Sequence, residues 1–183
     1  MKAGFDNQKY LKLQSQNIQK RVAKFNKLYL EFGGKLFDDN HASRVLPGFE
    51  PDSKVKMLLN LKDKVEMVLV INANDIEKNK IRSDNGITYA QELLRLIDAF
   101  QQVELAIGGV VITHFNKQSE AIKLRKTLEK SKISVVYHYT IDNYPNNVDL
   151  ILSQNGFGKN EYLRTTKEIV VVTAPGPGSG KMA

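Results

Sequence analysis

Short apolar runs rich in branched residues recur along this chain and are separated by stretches of helical period. That alternation restricts the fold more than any other feature. Met67-Val-Leu-Val-Ile71 is continuous apolar sequence, too short for a buried helix, and predicts a strand covered on both faces. Leu28-Tyr-Leu-Glu-Phe32, Gly108-Gly-Val-Val-Ile-Thr-His-Phe115, Ile133-Ser-Val-Val-Tyr-His-Tyr139, Val148-Asp-Leu-Ile-Leu152 and Ile169-Val-Val-Val-Thr173 read as five further strands. Between them, Val55, Leu58, Leu59, Lys62 and Val65 mark one helix, capped by Asp52 or Ser53. Thr88 and Gln91 open a second through a capping box, its core face being Leu93, Leu94, Ile97 and Phe100. Ala121, Leu124, Arg125 and Leu128 mark a third. Strands alternating with amphipathic helices predict right-handed crossovers and an α/β, Rossmann-like, mostly parallel sheet with helices on both faces. Asn143–Lys167 is short for its share of helix, so one strand there is expected to run antiparallel or at an edge. An amphipathic helix over residues 1–26 precedes the α/β domain of residues 27–183. Its stripe is Leu11, Ile18, Val22 and Phe25, and it must dock on the domain or on another subunit.

The last strand flows into Ala174-Pro-Gly-Pro-Gly-Ser-Gly-Lys181. A buried strand feeding a glycine-rich, lysine-ended loop is the first half of a phosphate cradle, in which backbone N–H groups wrap an anion. The helix that should follow is missing, so the chain reads as a fragment truncated at a P-loop-like turn, with its last strand open to association at an edge or face. Gly176, Gly178, Ser179, Gly180 and Lys181 are the phosphate-binding candidates. The loop departs from Walker A: Pro175 stands at the first glycine position, and Met182 gives no magnesium-binding hydroxyl. Two weaker glycine–lysine loops, Gly33-Gly34-Lys35 and Gly156-Phe-Gly158-Lys159, follow the first and fifth predicted strands. In a parallel sheet such loops gather at the carboxyl ends of the strands, where ligands bind.

Substrate-side candidates are His41 and Arg44 in the polar loop 38–52, Lys80 and Arg82 in the charged loop 72–86, and His114 at the end of the third strand. Each has an ordinary alternative as a solvated charge or a hydrogen-bonded structural histidine, as does His138 near the end of the fourth strand. No catalytic residue and no cofactor can be named. No histidine spacing suits a metal, and the absence of cysteine excludes thiolate ligands, thiol catalysis and disulfides within these residues. Lysine plus arginine exceed aspartate plus glutamate by 27 to 20, a net +7. The lysines are scattered, with no aromatic-plus-basic stripe, which reads as a solvated surface rather than a nucleic-acid site. No apolar run has membrane-spanning length and no signal peptide opens the chain, so a cytoplasmic location is expected, with no membrane partner.

Leu28-Tyr-Leu-Glu-Phe-Gly-Gly-Lys35, His41-Ala-Ser-Arg-Val-Leu-Pro-Gly48, Glu92-Leu-Leu-Arg-Leu-Ile-Asp98 and Val171-Val-Thr-Ala-Pro-Gly-Pro-Gly-Ser-Gly-Lys181 together resemble the DUF1846 family, also called UPF0371. The likeness runs from Tyr10 onward. It implies a cytosolic bacterial protein, a Rossmann-like N-terminal domain and family members longer than this chain. It implies that the Pro175 and Met182 variations belong to the family's own form of the loop, against a standard magnesium-dependent NTPase. It supplies no activity and no catalytic residue. Two functional expectations follow. The first is binding of a nucleotide or phosphorylated small molecule at the glycine turn. The alternative is a non-catalytic sensor or homo-oligomeric assembly module in which the turn is structural.

Overall fold

The computed structural model describes residues 4–32 and 34–181. Gly33 and Met182 therefore lie outside the described residues, as do residues 1–3 and 183. The elements are α1 (Asn7–Phe25), β1 (Leu28–Glu31), α2 (Asn40–Val45), α3 (Ser53–Leu59), β2 (Val65–Asn72), α4 (Ala73–Glu77), α5 (Tyr89–Gln102), β3 (Ala106–Phe115), α6 (Ser119–Lys130), β4 (Val135–Tyr139), α7 (Val148–Ile151) and β5 (Ile169–Thr173). Single 3-10 turns occupy Lys62–Lys64 and Phe157–Lys159.

The five strands form one all-parallel sheet in the order β1-β5-β2-β3-β4. The expectation of an antiparallel strand in the 143–167 region is thus corrected. Val148–Leu152, read as a strand, is the short helix α7, whose first turn is capped by Asn147 Oδ1 accepting from the Leu150 N–H at 3.1 Å. Four residues of mixed polarity carry no usable period, and the cap decides the conformation. Nor is the last strand at an edge. β5 pairs with β1 on one side, Leu28 opposite Ile169, and with β2 on the other, Val65 opposite Ile169.

β2 sits at the centre of the sheet, and Val65 to Ile71 are buried on both faces, as the continuous apolar run requires. Alternation along the strands divides the core. Met67, Leu69, Ile71, Val110, Ile112, Ile169 and Val171 face the larger cluster, built with Ile18 and Val22 of α1, Met57 and Leu58 of α3, Ile97 and Phe100 of α5, and Leu124 and Leu128 of α6. Val68, Val70, Val111, Val136 and Val170 form a smaller cluster on the opposite face with Leu163. Leu163 belongs to the connection that returns from β4 at one edge to β5 near the other. This return is clamped to β4 where the Glu161 N–H donates to Tyr137 O at 3.1 Å and the Tyr139 N–H donates to Asn160 Oδ1 at 2.8 Å. The reversal of direction explains the change of face. Right-handed crossovers that advance across the sheet lie on one side, and one that runs back lies on the other.

The α1 stripe docks on α3 and β1 through Ile18 and Val22, with Leu11 partly buried against the core. Phe25 does not share that face and is exposed. In α5 the core position is taken by Leu96, and Leu94 points outward. The loop expected over 38–52 contains α2, and the charged loop expected over 72–86 contains α4. The N-cap of α3 makes no side-chain cap bond. The Ser53 hydroxyl is instead buried and bonded to Asn7 Oδ1 at 2.6 Å and Glu50 O at 2.7 Å.

The capping box of α5 is complete: Thr88 Oγ1 accepts from the Gln91 N–H at 3.1 Å, and Gln91 Oε1 accepts from the Thr88 N–H at 2.8 Å. Thr88→Ala removes the first of these and is expected to cost about 1 kcal/mol of stability. Urea unfolding checks this. A midpoint equal to that of the parent chain would show that the cap adds nothing here.

Candidate functional site

β5 ends at the carboxyl rim of the sheet, flanked by β1 and β2, and the glycine turn rises directly from it. Pro177-Gly178, with Gly178 at φ 78°, has the signature of a type II turn. Two neighbouring strand ends hold the turn down. Asn72 at the end of β2 donates from Nδ2 to Gly178 O at 3.1 Å, while its Oδ1 caps α4 by accepting from the Asn74 N–H at 2.9 Å. Thr113 in β3, itself buried, donates from Oγ1 to Ser179 O at 2.5 Å. Because a peptide unit is planar, tying the Ser179 carbonyl toward the sheet turns the Gly180 N–H the opposite way.

The glycines have different roles. A Cβ on Gly176 would fall 2.1 Å from Cε1 of Tyr89, a buried ring, so this residue is glycine for close packing. A Cβ on Gly178 would meet open space, and there the positive φ selects glycine. Gly180, at φ 76°, lies against Thr113 and His114. Ser179 is buried, so its carbonyl anchors the turn while its side chain is withdrawn from solvent.

Lys181 ends the turn with its Nζ 2.7 Å from Glu31 Oε1 at the end of β1. It borders two depressions. One, of about 320 Å³, is walled by Lys35, Arg82, Arg95, Glu92 and the turn residues 173–177. Its charges form a network. Arg82 grips Asp84 through Nε at 2.9 Å and Nη2 at 2.7 Å. Lys35 reaches the same carboxylate at 2.5 Å, and Arg95 grips the buried Glu92 at 2.8 and 2.9 Å. Hydrogen bonds from Arg82 and then Lys35 hold the Asp84 carboxyl well below the usual carboxylate range. The second depression lies open on the other side, about 650 Å³, bordered by Asn72, His114, Tyr144 and residues 177–181.

His114 stands where β3 breaks register with β4 between Ile112 and Phe115, at φ 53°. Such an irregularity re-aims a side chain at a strand end, and a non-glycine residue in the left-handed region is uncommon enough to mark the position. Its Nδ1 lies 3.3 Å from Thr113 Oγ1. With the single Thr113 hydroxyl proton directed to Ser179 O, Thr113 Oγ1 can only accept from Nδ1 in that contact.

Of the residues singled out by sequence, Gly176, Gly178, Ser179, Gly180, Lys181, Arg82 and His114 gather around this rim. Lys80 pairs with Asp75 at 3.1 Å and stacks over Tyr89, the ring that packs on Gly176; it borders neither depression. His41 and Arg44 lie on α2, away from both, and Arg44 Nε donates to Asn40 O of its own helix at 3.2 Å. The Gly156–Lys159 loop follows α7 rather than a strand. It reaches the rim through Phe157, while a Cβ on Gly156 would collide with Leu150 O at 2.0 Å. Sequence reasoning missed Asn72, Thr113, Glu31 and Arg95. Asn72 and Thr113 do end apolar runs, which is the one signal they carry; Glu31 and Arg95 are recognisable only once the sheet order is known. Among the described residues no cluster of His, Cys, Asp or Glu suits a metal ion, and no helix is long and apolar enough to cross a membrane.

The chain belongs to the family described as "Domain of unknown function DUF1846, N-terminal", whose match covers residues 3–183. It is similar to a UPF0371 protein of Streptococcus uberis, 54% identical over 183 residues, 100% of this chain and 37% of that protein. A UPF0371 protein of Streptococcus pyogenes serotype M5 is 53% identical over 180 residues, 98% of this chain and 36% of that protein. One of Streptococcus sanguinis is 53% identical over 183 residues, again covering 37% of the relative. The chain thus spans a little over a third of the length of the curated relatives it matches. The names of these proteins state no activity.

Two predictions test the local physics. Gly176→Ala should destabilise the protein by about 1–3 kcal/mol through overpacking on Tyr89. That cost should shrink in a Tyr89→Leu background, whereas the cost of Gly178→Ala, a backbone effect, should not change. Urea titration of the parent, the three single variants and the two double variants gives the coupling, and an equal cost of Gly176→Ala in both backgrounds would refute the packing assignment. The second concerns His138, on β4. Burial pushes its imidazole below the ordinary 6.5, against the raising influence of Glu161. The folded state then binds a proton less readily than the unfolded chain. Stability is unaffected above the ordinary value and falls as pH drops through it. His138→Gln should flatten the decline of melting temperature between about pH 7 and about pH 5; an unchanged acid slope would count against the assignment.

Proposed function

We propose that this domain binds a nucleotide or another phosphorylated small molecule at the 176–181 turn, within a cytoplasmic protein. The observation that carries the reading is the anchoring of the turn. The Gly178 and Ser179 carbonyls are held by Asn72 and Thr113, so a main-chain concavity is pre-formed at the carboxyl rim, with Lys181 at its lip. Pre-organised backbone donors beside a cation are what a phosphate group requires. On the adjoining wall Lys35, Arg82 and Arg95 outnumber the Asp84 and Glu92 carboxylates they pair with, so a net positive charge is left there.

Glu31 does not block this role. A partly exposed lysine–carboxylate pair is worth about 0–1 kcal/mol. Hydrogen bonds to a charged group contribute about 1.5–3 kcal/mol each, so a phosphate carrying more than one charge outcompetes the carboxylate for Lys181. Glu31 then serves to hold the ammonium at the lip until a phosphate takes its place. With Ser179 buried, the turn offers no exposed hydroxyl at that position for a magnesium ion, which favours phosphate recognition without the Walker-type metal ligand.

Thermal melts of the intact protein against nucleotides and phosphorylated metabolites, with and without magnesium, provide the test. A ligand specific to the native state raises the melting temperature. The expected result is a rise with at least one phosphorylated compound that is lost in Lys181→Ala. No rise with any of them would leave the turn a structural element and favour the assembly-module reading.

A further inference from the structure

A third hollow, a cavity, lies beside the glycine turn, between the carboxyl ends of β3 and β4. It measures about 90 Å³ and is bordered by Thr113, His114, His138, Tyr139, Thr140, Ile141, Tyr144, Phe157 and Asn160. That is several times the ~30 Å³ share of one water molecule, room for a small ring. Its position follows from the topology. The connection after β3 runs through α6 into the larger core cluster, while the connection after β4 returns over the opposite face and packs Leu163 there. Two adjacent parallel strands whose following connections part to opposite faces leave a crevice between their carboxyl ends, the usual ligand position in open α/β sheets.

We infer that this cavity is the base subsite of a nucleotide whose phosphates occupy the glycine turn; the inference rests on the phosphate reading given above. Three observations carry it. The walls include the aromatic rings of Tyr139, Tyr144 and Phe157, and two of these stand in solvent: Tyr144 is 52% and Phe157 38% exposed. Exposed rings at the mouth of a crevice offer faces for a flat partner, and base-on-aromatic stacking tolerates any base. Polar groups for edge contacts line the same cavity. Asn160 spends its Oδ1 on the Tyr139 N–H, which leaves its amide as a donor, and Thr140 and His138 add groups able to donate or accept. Finally, His114 and Tyr144 border both this cavity and the open depression over Gly178, Ser179, Gly180 and Lys181. The two subsites therefore share a wall, and one ligand with a ring at one end and phosphates at the other can reach both.

Calorimetric titration of the intact protein separates the two readings. The probes are pyrophosphate, ribose 5-phosphate, glucose 1-phosphate and the triphosphates ATP, GTP, CTP and UTP. At least one triphosphate should bind tenfold or more tightly than pyrophosphate and both sugar phosphates. Phe157→Ala should weaken that triphosphate about tenfold and leave pyrophosphate unchanged, Tyr144→Ala, which borders both subsites, should weaken the triphosphate more than pyrophosphate, Tyr144→Phe should retain affinity, and Lys181→Ala should weaken both kinds of probe. Both ring truncations lie at exposed positions, and unchanged melting temperatures verify that they fold. If the triphosphates bind no better than pyrophosphate, if a sugar phosphate matches them, or if the ring truncations leave them unaffected, the base subsite is overturned while the phosphate site stands. If none of the probes binds, both fall together.

Discussion

Insertion of β5 between β1 and β2 is the pairing on which the rest of the molecule depends. Its register, Ile169 opposite Leu28 on one side and opposite Val65 on the other, closes contacts across more than a hundred residues of chain. Parallel pairing forces every connection to cross the sheet, so all five strands deliver their ends, and the loops that follow, to one rim. Without β5 in the middle, β1 would have no place in the sheet. Glu31 would not meet Lys181, and the glycine turn would have neither Asn72 nor Thr113 to hold its carbonyls.

Those carbonyl contacts convert a flexible composition into a defined surface. Pro-Gly-Pro-Gly-Ser-Gly has wide conformational freedom in isolation, and each ordered residue costs roughly 1–2 kcal/mol of backbone entropy. Here the cost is offset by two side-chain hydrogen bonds from neighbouring strands, by the packing of Gly176 on Tyr89, and by the burial of Ser179. The same strand ends also position the depressions on either side. β3 is particularly economical: Thr113 points inward and anchors the turn, and the register break one residue later sends His114 outward to border the open depression and the β3–β4 cavity. One irregularity therefore links the turn to its neighbouring crevice.

Much of the fold is legible in the residues because its signals are local. β2 and β5 fall where continuous branched runs demand burial on two faces, and the Thr88–Gln91 box marks the start of α5 to the residue. The failures share a cause. α2, α4 and α7 are short helices, four to six residues long, with no apolar period to betray them. Phe25 and Leu94 lie near their helices' apolar stripes, and only the direction from which the sheet packs decides that they stay outside. Of the candidate residues, those on the terminal turn are readable because glycine and lysine signal a loop chemistry. Lys80, His41 and Arg44 are ordinary charged residues whose partners are unknowable without the tertiary contacts.

By itself, then, the sequence determined the parallel α/β class, the strand that feeds the glycine turn, and the glycines that let the turn form, because each rests on hydrophobic period or backbone conformation within a few neighbouring residues. It also placed the chain in its family. Only the tertiary structure decided which strands are neighbours, that Asn72 and Thr113 tie down the turn, that Lys181 meets Glu31, and that the β3–β4 crevice opens beside it. The side-chain ties join residues from 66 to 150 positions apart, and they exist only where strand order and the return of the chain over the second face bring the ends together.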